Sequence, residues 1–543
     1  MTAAPRTAAV AASDGCLLAT DICLPAGAHG SGPFPAVLLR TPYDRRAHLA
    51  ELRAWADRGF AAAAQDVRGR HGSAGSWHPY RNEAADGAAA ARWVRRQPWN
   101  DGTVVAVGAS YAAHCALAPT LAVGTGTGTG TGTEEDDGLP DAVIAAVPAL
   151  GLAETAREPG GPERLYSRAG WWAAHGDRSD SDEEALRTAL AADPLLLEHL
   201  PLAGLPRRLG RDLPSWSGLW RDHGHGRLPD RAPTARMPLL AVGGSHDAFA
   251  DDTLRLWRRW GGTNARLLLG PWGHGLTSDP GPDAQPQHRL RGGLGELYVR
   301  WARAALAGRL APGRTGAVAL GGSPAWLPAA RLDPPGVRLE FGAADGLRLL
   351  HGAEFTADPS RPAASDSLTI PRMGEPDRCV LATGPLPEPM DLFGTAEIRL
   401  RAAAGTAHAD WVARLVLLTG SGDAEALGVC ALRTRGEPGR AAGHRLRIGP
   451  LARRIPAGAR LRLELAGHHF PAHARQPHTG ADPVTATDLR CSRRTVHPAG
   501  SALLLPVLAP GPSPNPSPNP SPGSPPSRPP ETEPLDPVQE ILR

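Results

Sequence analysis

Short apolar runs alternate with helical stretches through the first 150 residues, and few architectures accommodate that order. PAVLLR (Pro35 to Arg40) reads as a buried strand, Leu49 to Gly59 as a helix closed by glycine, and AAAAQD (Ala61 to Asp66) as a strand of small residues. Helical character returns over Arg81 to Gln97 and stops before Pro98. TVVAVG (Thr103 to Gly108) and DAVIAAVPAL (Asp141 to Leu150) are again strands. Strand–helix alternation requires crossover connections, which implies a largely parallel sheet with helices on its faces.

The 543-residue chain is too long for one core. Residues 151–235 carry Trp- and Leu-containing helical stretches broken by Gly and Pro, which predicts a helical cap inserted into the first domain. MPLLAVGG (Met237 to Gly244) and ARLLLGPWGHG (Ala265 to Gly275) return to the sheet, so residues 236–312 form its second part. A helix from Gly293 to Gly308 follows. From 313 to 509, segments such as VRLEF, AEIRLRAAA and ARLRLELAG alternate apolar and polar residues between turns, which predicts a jelly-roll-like β-sandwich. The Gly-Thr repeat with its acidic end (124–138) cannot pack a core and reads as a flexible insert. The Pro/Ser-rich stretch beginning at 510 predicts a disordered tail to 543.

Net charge is only +3 and the basic residues are scattered, which argues against a nucleic-acid partner. They are all arginine, in a chain rich in Ala, Gly and Pro, so they reflect composition more than function. None of the six cysteines forms a C-x-x-C pair, so neither a zinc site nor a disulfide framework is expected. No signal-peptide core and no 18-residue apolar run is present, which predicts a cytoplasmic protein with no membrane partner.

The chemistry is expected at VVAVGASYAA, where a strand meets a small-residue turn and then a helix. A serine hydroxyl becomes nucleophilic only with a base to take its proton, a carboxylate to orient that base, and donors for the developing oxyanion. Ser110 has Gly108 two residues before it and Ala112 two after, as a tight strand-to-helix elbow requires. By itself G-x-S-x-A is weak evidence, and a helix N-cap serine is the plainer reading of it. The chain order favours the nucleophile. SHDAF places Asp247 just past one later strand, and PWGHG places His274 just past the next, where α/β sites form.

These stretches, with RTPYDRR (Arg40 to Arg46), QDVRGRHGSAGSWHPYRNEAADG (Gln65 to Gly87) and HHFPAHARQPHTG (His468 to Gly480), resemble the cocaine-esterase and X-Pro dipeptidyl-peptidase family of serine hydrolases. The resemblance runs over about residues 12–508. It implies an α/β-hydrolase domain with an inserted helical cap and a C-terminal jelly-roll-like domain. It also implies Ser110 as nucleophile, Asp247 as acid and His274 as base, with the Tyr43 hydroxyl and the Tyr111 N–H as oxyanion donors. No cofactor or metal is implied. The substrate would be a small ester, amide or short peptide, and the oligomeric state stays open, a homodimer included. Three positions depart from the family pattern: Ala113, His246 and Ala248.

Asp251 and Asp252 are alternative acids, but they read as the acidic first turn of the next helix. His114, four residues after Ser110, reads as a packed histidine. Trp171, Trp172, Phe249 and His246 are candidate substrate-pocket residues, although the tryptophans, with Trp216 and Trp220, equally suit cap packing. The acidic run Ser179 to Glu184 could bind a substrate amine, but reads better as a capped helix start. His468, His469, His473 and His478 lack a carboxylate or cysteine in ligand register, and DHGHG (Asp222 to Gly226) is read the same way. The alternatives to simple hydrolysis are X-Pro dipeptide release, acyl transfer, and a non-catalytic binding module; carbohydrate binding by the sandwich rests on fold analogy.

Overall fold

The computed structural model describes residues 5–26, 32–122, 138–221, 227–370, 374–509 and 535–543. Nearly all of the Gly-Thr insert, the Asp222 to Gly226 stretch and the Pro/Ser-rich part of the tail lie outside these residues. Ten strands form the first sheet: β1 (Arg6–Ala11), β2 (Leu17–Cys23), β3 (Phe34–Thr41), β4 (Ala61–Asp66), β5 (Asn100–Ala109), β6 (Ala142–Ala146), β7 (Leu239–Gly244), β8 (Asn264–Gly270), β9 (Gly313–Ala319) and β10 (Trp326–Pro328). Their order is β1-β2-β4-β3-β5-β6-β7-β8-β9-β10. From β4 to β9 every neighbouring pair is parallel, while β1, β2 and β10 add antiparallel edges. The parallel strands β4, β6 and β7 are buried along their whole length, as a sheet covered on both faces requires.

The described residues of 151–235 include several short helices, and Leu165, Trp172, Trp216, Leu219 and Trp220 are buried in a core that also takes in Ala474 and Val484. Beyond the first sheet, two five-stranded antiparallel sheets share one apolar core. One carries Val337–Glu340, Glu354–Ala357, Met390–Ala404, Ala442–Ile455 and Ser492–Leu505; the other carries Arg348–His351, Arg378–Ala382, His408–Leu418, Ala424–Arg435 and Arg460–Ala466.

Two boundaries differ from the sequence expectation. The sandwich expected from 313 starts at Val337, because β9 pairs in parallel with β8 and β10 closes on β9. An apolar strand of this length is compatible with either sheet; its position after the helix Gly293–Leu306 makes it the next crossover strand. Nor is the expected disorder uniform to residue 543. Pro537–Leu542 is a helix whose Val538 and Ile541 are buried in the core of the first sheet. Among the described residues no helix is long and apolar enough to cross a membrane.

Candidate active site

Strand β5 delivers Ser110 to the helix Tyr111–Ala122 through one strained residue. Ser110 has φ 57°, a region that a non-glycine residue occupies at a cost of about 1–3 kcal/mol. Hydrogen bonds hold it there. Ser110 N–H donates to the Ala146 carbonyl at 2.9 Å, and the Ser110 carbonyl accepts from Ala113 N at 3.1 Å and Ala149 N at 3.2 Å. Gly108 permits the tight turn, since a Cβ there would stand 2.2 Å from the Ala112 carbonyl atoms.

Asp247 and His274 come from the loops after β7 and β8, and the backbone joins those loops. Ser245 N donates to Gly270 O at 2.8 Å and His246 N to Trp272 O at 2.9 Å. The Asp247 side chain is fully buried, whereas the His274 side chain is 49% exposed. His274 Nδ1 lies 2.8 Å from Asp247 Oδ1, and His274 Nε2 lies 3.0 Å from Ser110 Oγ. A buried carboxylate on Nδ1 fixes the tautomer with its proton there, which leaves the Nε2 lone pair facing the serine hydroxyl. Phe249 packs edge-on against His274 at 5.5 Å.

Tyr43 follows β3 and sits beside Ser110. Burial pushes its phenol pKa up, and contacts with Trp171 and Ser110 offset this only in part, so it is a neutral donor. Trp171 Nε1 donates to the Tyr43 hydroxyl oxygen at 3.1 Å. An indole N–H can only donate, so it occupies a lone pair of the phenol and leaves the Tyr43 O–H free to donate elsewhere. Trp171 also stacks on the Tyr111 ring, with centroids 5.7 Å apart and planes 15° from parallel. The Tyr111 phenol donates to Glu83 Oε1 at 2.5 Å and accepts from Tyr80 N at 2.5 Å. Burial raises the pKa of Glu83. The residue after Ser110 is thus anchored at its far end.

Several of the alternative residues are engaged in other contacts. Asp252 pairs with Arg255 at 2.7 Å, and burial pushes its pKa up to about 7; the His274 ring faces Asp247 instead. His114 is buried against Tyr80, and burial lowers its pKa to about 4. Of the four pocket candidates, Trp171 and Phe249 lie at the site. Trp172 does not: it is 1% exposed in the cap core and donates to Ser215 Oγ at 2.9 Å. Adjacent helical positions point about 100° apart, so only one of the two tryptophans can face the site. His246 pairs with Asp283, its Nε2 at 2.5 Å from Oδ1, and with Asp247 lines a cavity of about 850 Å³ between cap, acid loop and sandwich. In the acidic run, Asp182 pairs with Arg211 and Ser181 accepts from Arg70, just ahead of the helix Ala185–Ala192. His478 is engaged by Arg490 O and Arg494, and His473 by Glu158.

Sequence reasoning missed Glu83, Tyr80, His175 and Arg70. Arg70 is fully buried, donating to Pro42 O and to the cap carbonyls of His175, Arg178 and Asp180. It ties the Tyr43 loop to the cap. Its neighbourhood, VRGRHG, lies in a stretch that carries the family resemblance, but nothing in it marks Arg70 as buried.

Comparison with known proteins decides the family. Residues 14–276 match the X-Pro dipeptidyl-peptidase (S15 family) profile, and residues 259–502 match the profile of the X-Pro dipeptidyl-peptidase C-terminal non-catalytic domain. Residues 14–276 belong to the S15 family. Within it, the chain is 27% identical over 302 residues to cocaine esterase from Rhodococcus sp. (strain MB1 Bresler), which is 48% of this chain and 47% of that protein. The match therefore spans about half the length of that S15 relative. Among solved structures, an alpha-amino acid ester hydrolase superposes with a TM-score of 0.72 at 17% identity, over 93% of this chain and 96% of the other. An aminopeptidase from a marine sediment archaeon (Thaumarchaeota archaeon) gives 0.69 at 18% identity, over 93% and 96%. At these identities the two structures establish the fold alone.

Proposed function

We propose that this protein is a serine hydrolase that cleaves a carboxylic ester or amide through an acyl-enzyme intermediate. The observation that carries the reading is the hydrogen-bonded chain Ser110 Oγ, His274 Nε2, His274 Nδ1, Asp247 Oδ1, at 3.0 and 2.8 Å, on a strained elbow. Ser110 attacks the carbonyl carbon while His274 takes its proton. Asp247 keeps the imidazole in the correct tautomer and stabilises the imidazolium. The Tyr43 O–H and the Tyr111 N–H donate to the oxyanion of the tetrahedral intermediate. His274 then protonates the leaving group, and a water, deprotonated by the same imidazole, releases the acid. Trp171 and Phe249 wall the space beside the reacting carbon.

The test is intact-mass analysis after treatment with a fluorophosphonate. The wild type should gain one adduct and Ser110→Ala none. An equal adduct on the variant, or none on the wild type, would remove Ser110 as the activated nucleophile.

A further inference from the structure

We propose that Arg168 is a specificity-determining residue that binds a carboxylate carried by the acyl part of the substrate. The inference rests on the serine-hydrolase reading and adds a substrate class to it. Arg168 lies on the cap helix Leu165–His175, three residues before Trp171 and seven before His175. Positions i, i+3 and i+7 share one helix face. That face meets the site: Trp171 donates to Tyr43 and stacks on Tyr111, and the His175 ring packs edge-on against Tyr43 at 5.0 Å.

Arg168 is 7% exposed. Its Nε has no hydrogen-bond partner, and among the described residues no carboxylate forms an ion pair with the guanidinium. Other buried arginines around the site have partners. Arg70 donates to five cap and loop oxygens, and Arg40 donates to Gln65 and Glu83 and faces Asp86 at 3.9 Å. The groups that act on Arg168 electrostatically are the phenols of Tyr80 and Tyr43 and the like charge of Arg164. A guanidinium stays charged at any working pH, and a buried charge without a counter-ion is costly. An anionic ligand relieves that cost, and the planar fork matches a carboxylate in two parallel hydrogen bonds.

The neighbours of Arg168 also select which half of the substrate carries the anion. A leaving group must lie where His274 can protonate it. Arg168 instead shares a helix face with Trp171 and His175, which pack on Tyr43, and we assign this side to the acyl chain.

The experiment compares 4-nitrophenyl monoesters of succinate, glutarate and adipate with the 4-nitrophenyl esters of butyrate, valerate and hexanoate. In the wild type, kcat/KM should favour the charged member of at least one pair of equal length. Arg168→Gln should lower that charged-to-neutral ratio on the order of 10²-fold, the loss expected for a charge-assisted pair, and Arg168→Lys should retain part of it. A second measurement needs no variant: free glutarate should slow fluorophosphonate labelling of wild-type Ser110, and neutral glutaramide should not. A ratio that is unchanged in Arg168→Gln, a wild type that favours the neutral esters throughout, or equal protection by glutarate and glutaramide overturns the carboxylate site. A wild-type Ser110 that is never labelled removes the hydrolase reading and the carboxylate site together.

Discussion

Tyr43 shows how much of a site is decided by one hydrogen bond to a residue from another element. A phenol can donate once, and its usefulness to an oxyanion depends on where that hydrogen points. The Trp171 indole, 3.1 Å away, fills the acceptor side and so aims the donor. Tyr43→Phe should therefore lower kcat by about 10²–10³ with KM changed only a few-fold, as expected for a donor used in the transition state. Trp171→Phe, which keeps the ring but loses the N–H, should lower kcat by less. Steady-state kinetics on one chromogenic ester check both, and a Tyr43→Phe variant at wild-type kcat would move the oxyanion hole elsewhere. Residues of this kind divide sharply in how visible they are in the sequence. Ser110, Asp247 and His274 were legible because each follows a recognisable strand in a fixed order. Glu83 and Arg168 were not. Both stand in helical stretches among other charged residues, where a charge ordinarily faces water, and only the fold shows that these two are buried.

The helix Pro537–Leu542 makes the same point for an element. Composition from residue 510 onward is dominated by Pro and Ser, and a compositional reading extends disorder to the end. The last residues, LDPVQEILR, carry a different pattern. Asp536 accepts from the N–H groups of Val538 and Gln539, Pro537 opens the helix where its missing N–H costs nothing, and Val538 and Ile541 fall on one face. A single turn of this length is not stable alone. Its stability comes from docking: Ile541 is fully buried in the core that includes Leu297, Trp301 and Ala317, and the Arg543 carbonyl accepts from Ala311 N at 2.6 Å. Ile541→Ala should cost about 2–4 kcal/mol, the range for truncating a buried aliphatic side chain. Calorimetry of the full chain should show a melting temperature lower by several degrees. An unchanged melting temperature would mean that the helix does not hold this position in solution. The parallel strands, by contrast, were readable because burial on both faces forces continuous apolar runs, which no disordered segment shares.

At the scale of the molecule, the site depends on three parts meeting, and charged groups join them. Arg433 of the sandwich holds both oxygens of Glu163 in the cap at 2.7 Å, and also Asp410. Asp283 joins His246 of the acid loop to Arg453 of the sandwich. Glu158 of the cap pairs with Arg164 at 3.0 Å and with His473 of the sandwich at 3.1 Å. The contacts between parts were not legible in the sequence, because each of those joins residues far apart in the chain and ion pairing has no periodicity to betray it. Glu158 makes the joint testable by pH. Desolvation alone would raise its pKa, but the attraction of Arg164 and the His473 contact outweigh it and hold the carboxyl at about 2, against 4.5 when unpaired. A carboxyl whose folded-state pKa is depressed stabilises the fold fully above its unfolded value and progressively less as pH falls toward its folded value. The difference corresponds to on the order of 3 kcal/mol at neutral pH. Glu158→Gln, which keeps the shape but loses the charge, should thus melt several degrees below the wild type at pH 7. The gap should begin to close below about pH 4.5 and should be less than half as large at pH 3. Thermal melts of both proteins from pH 7 to pH 3 read this directly. A gap that stays constant across the range would show that the Glu158 charge plays no part in holding cap and sandwich together, and that the Arg433 clamp carries that joint.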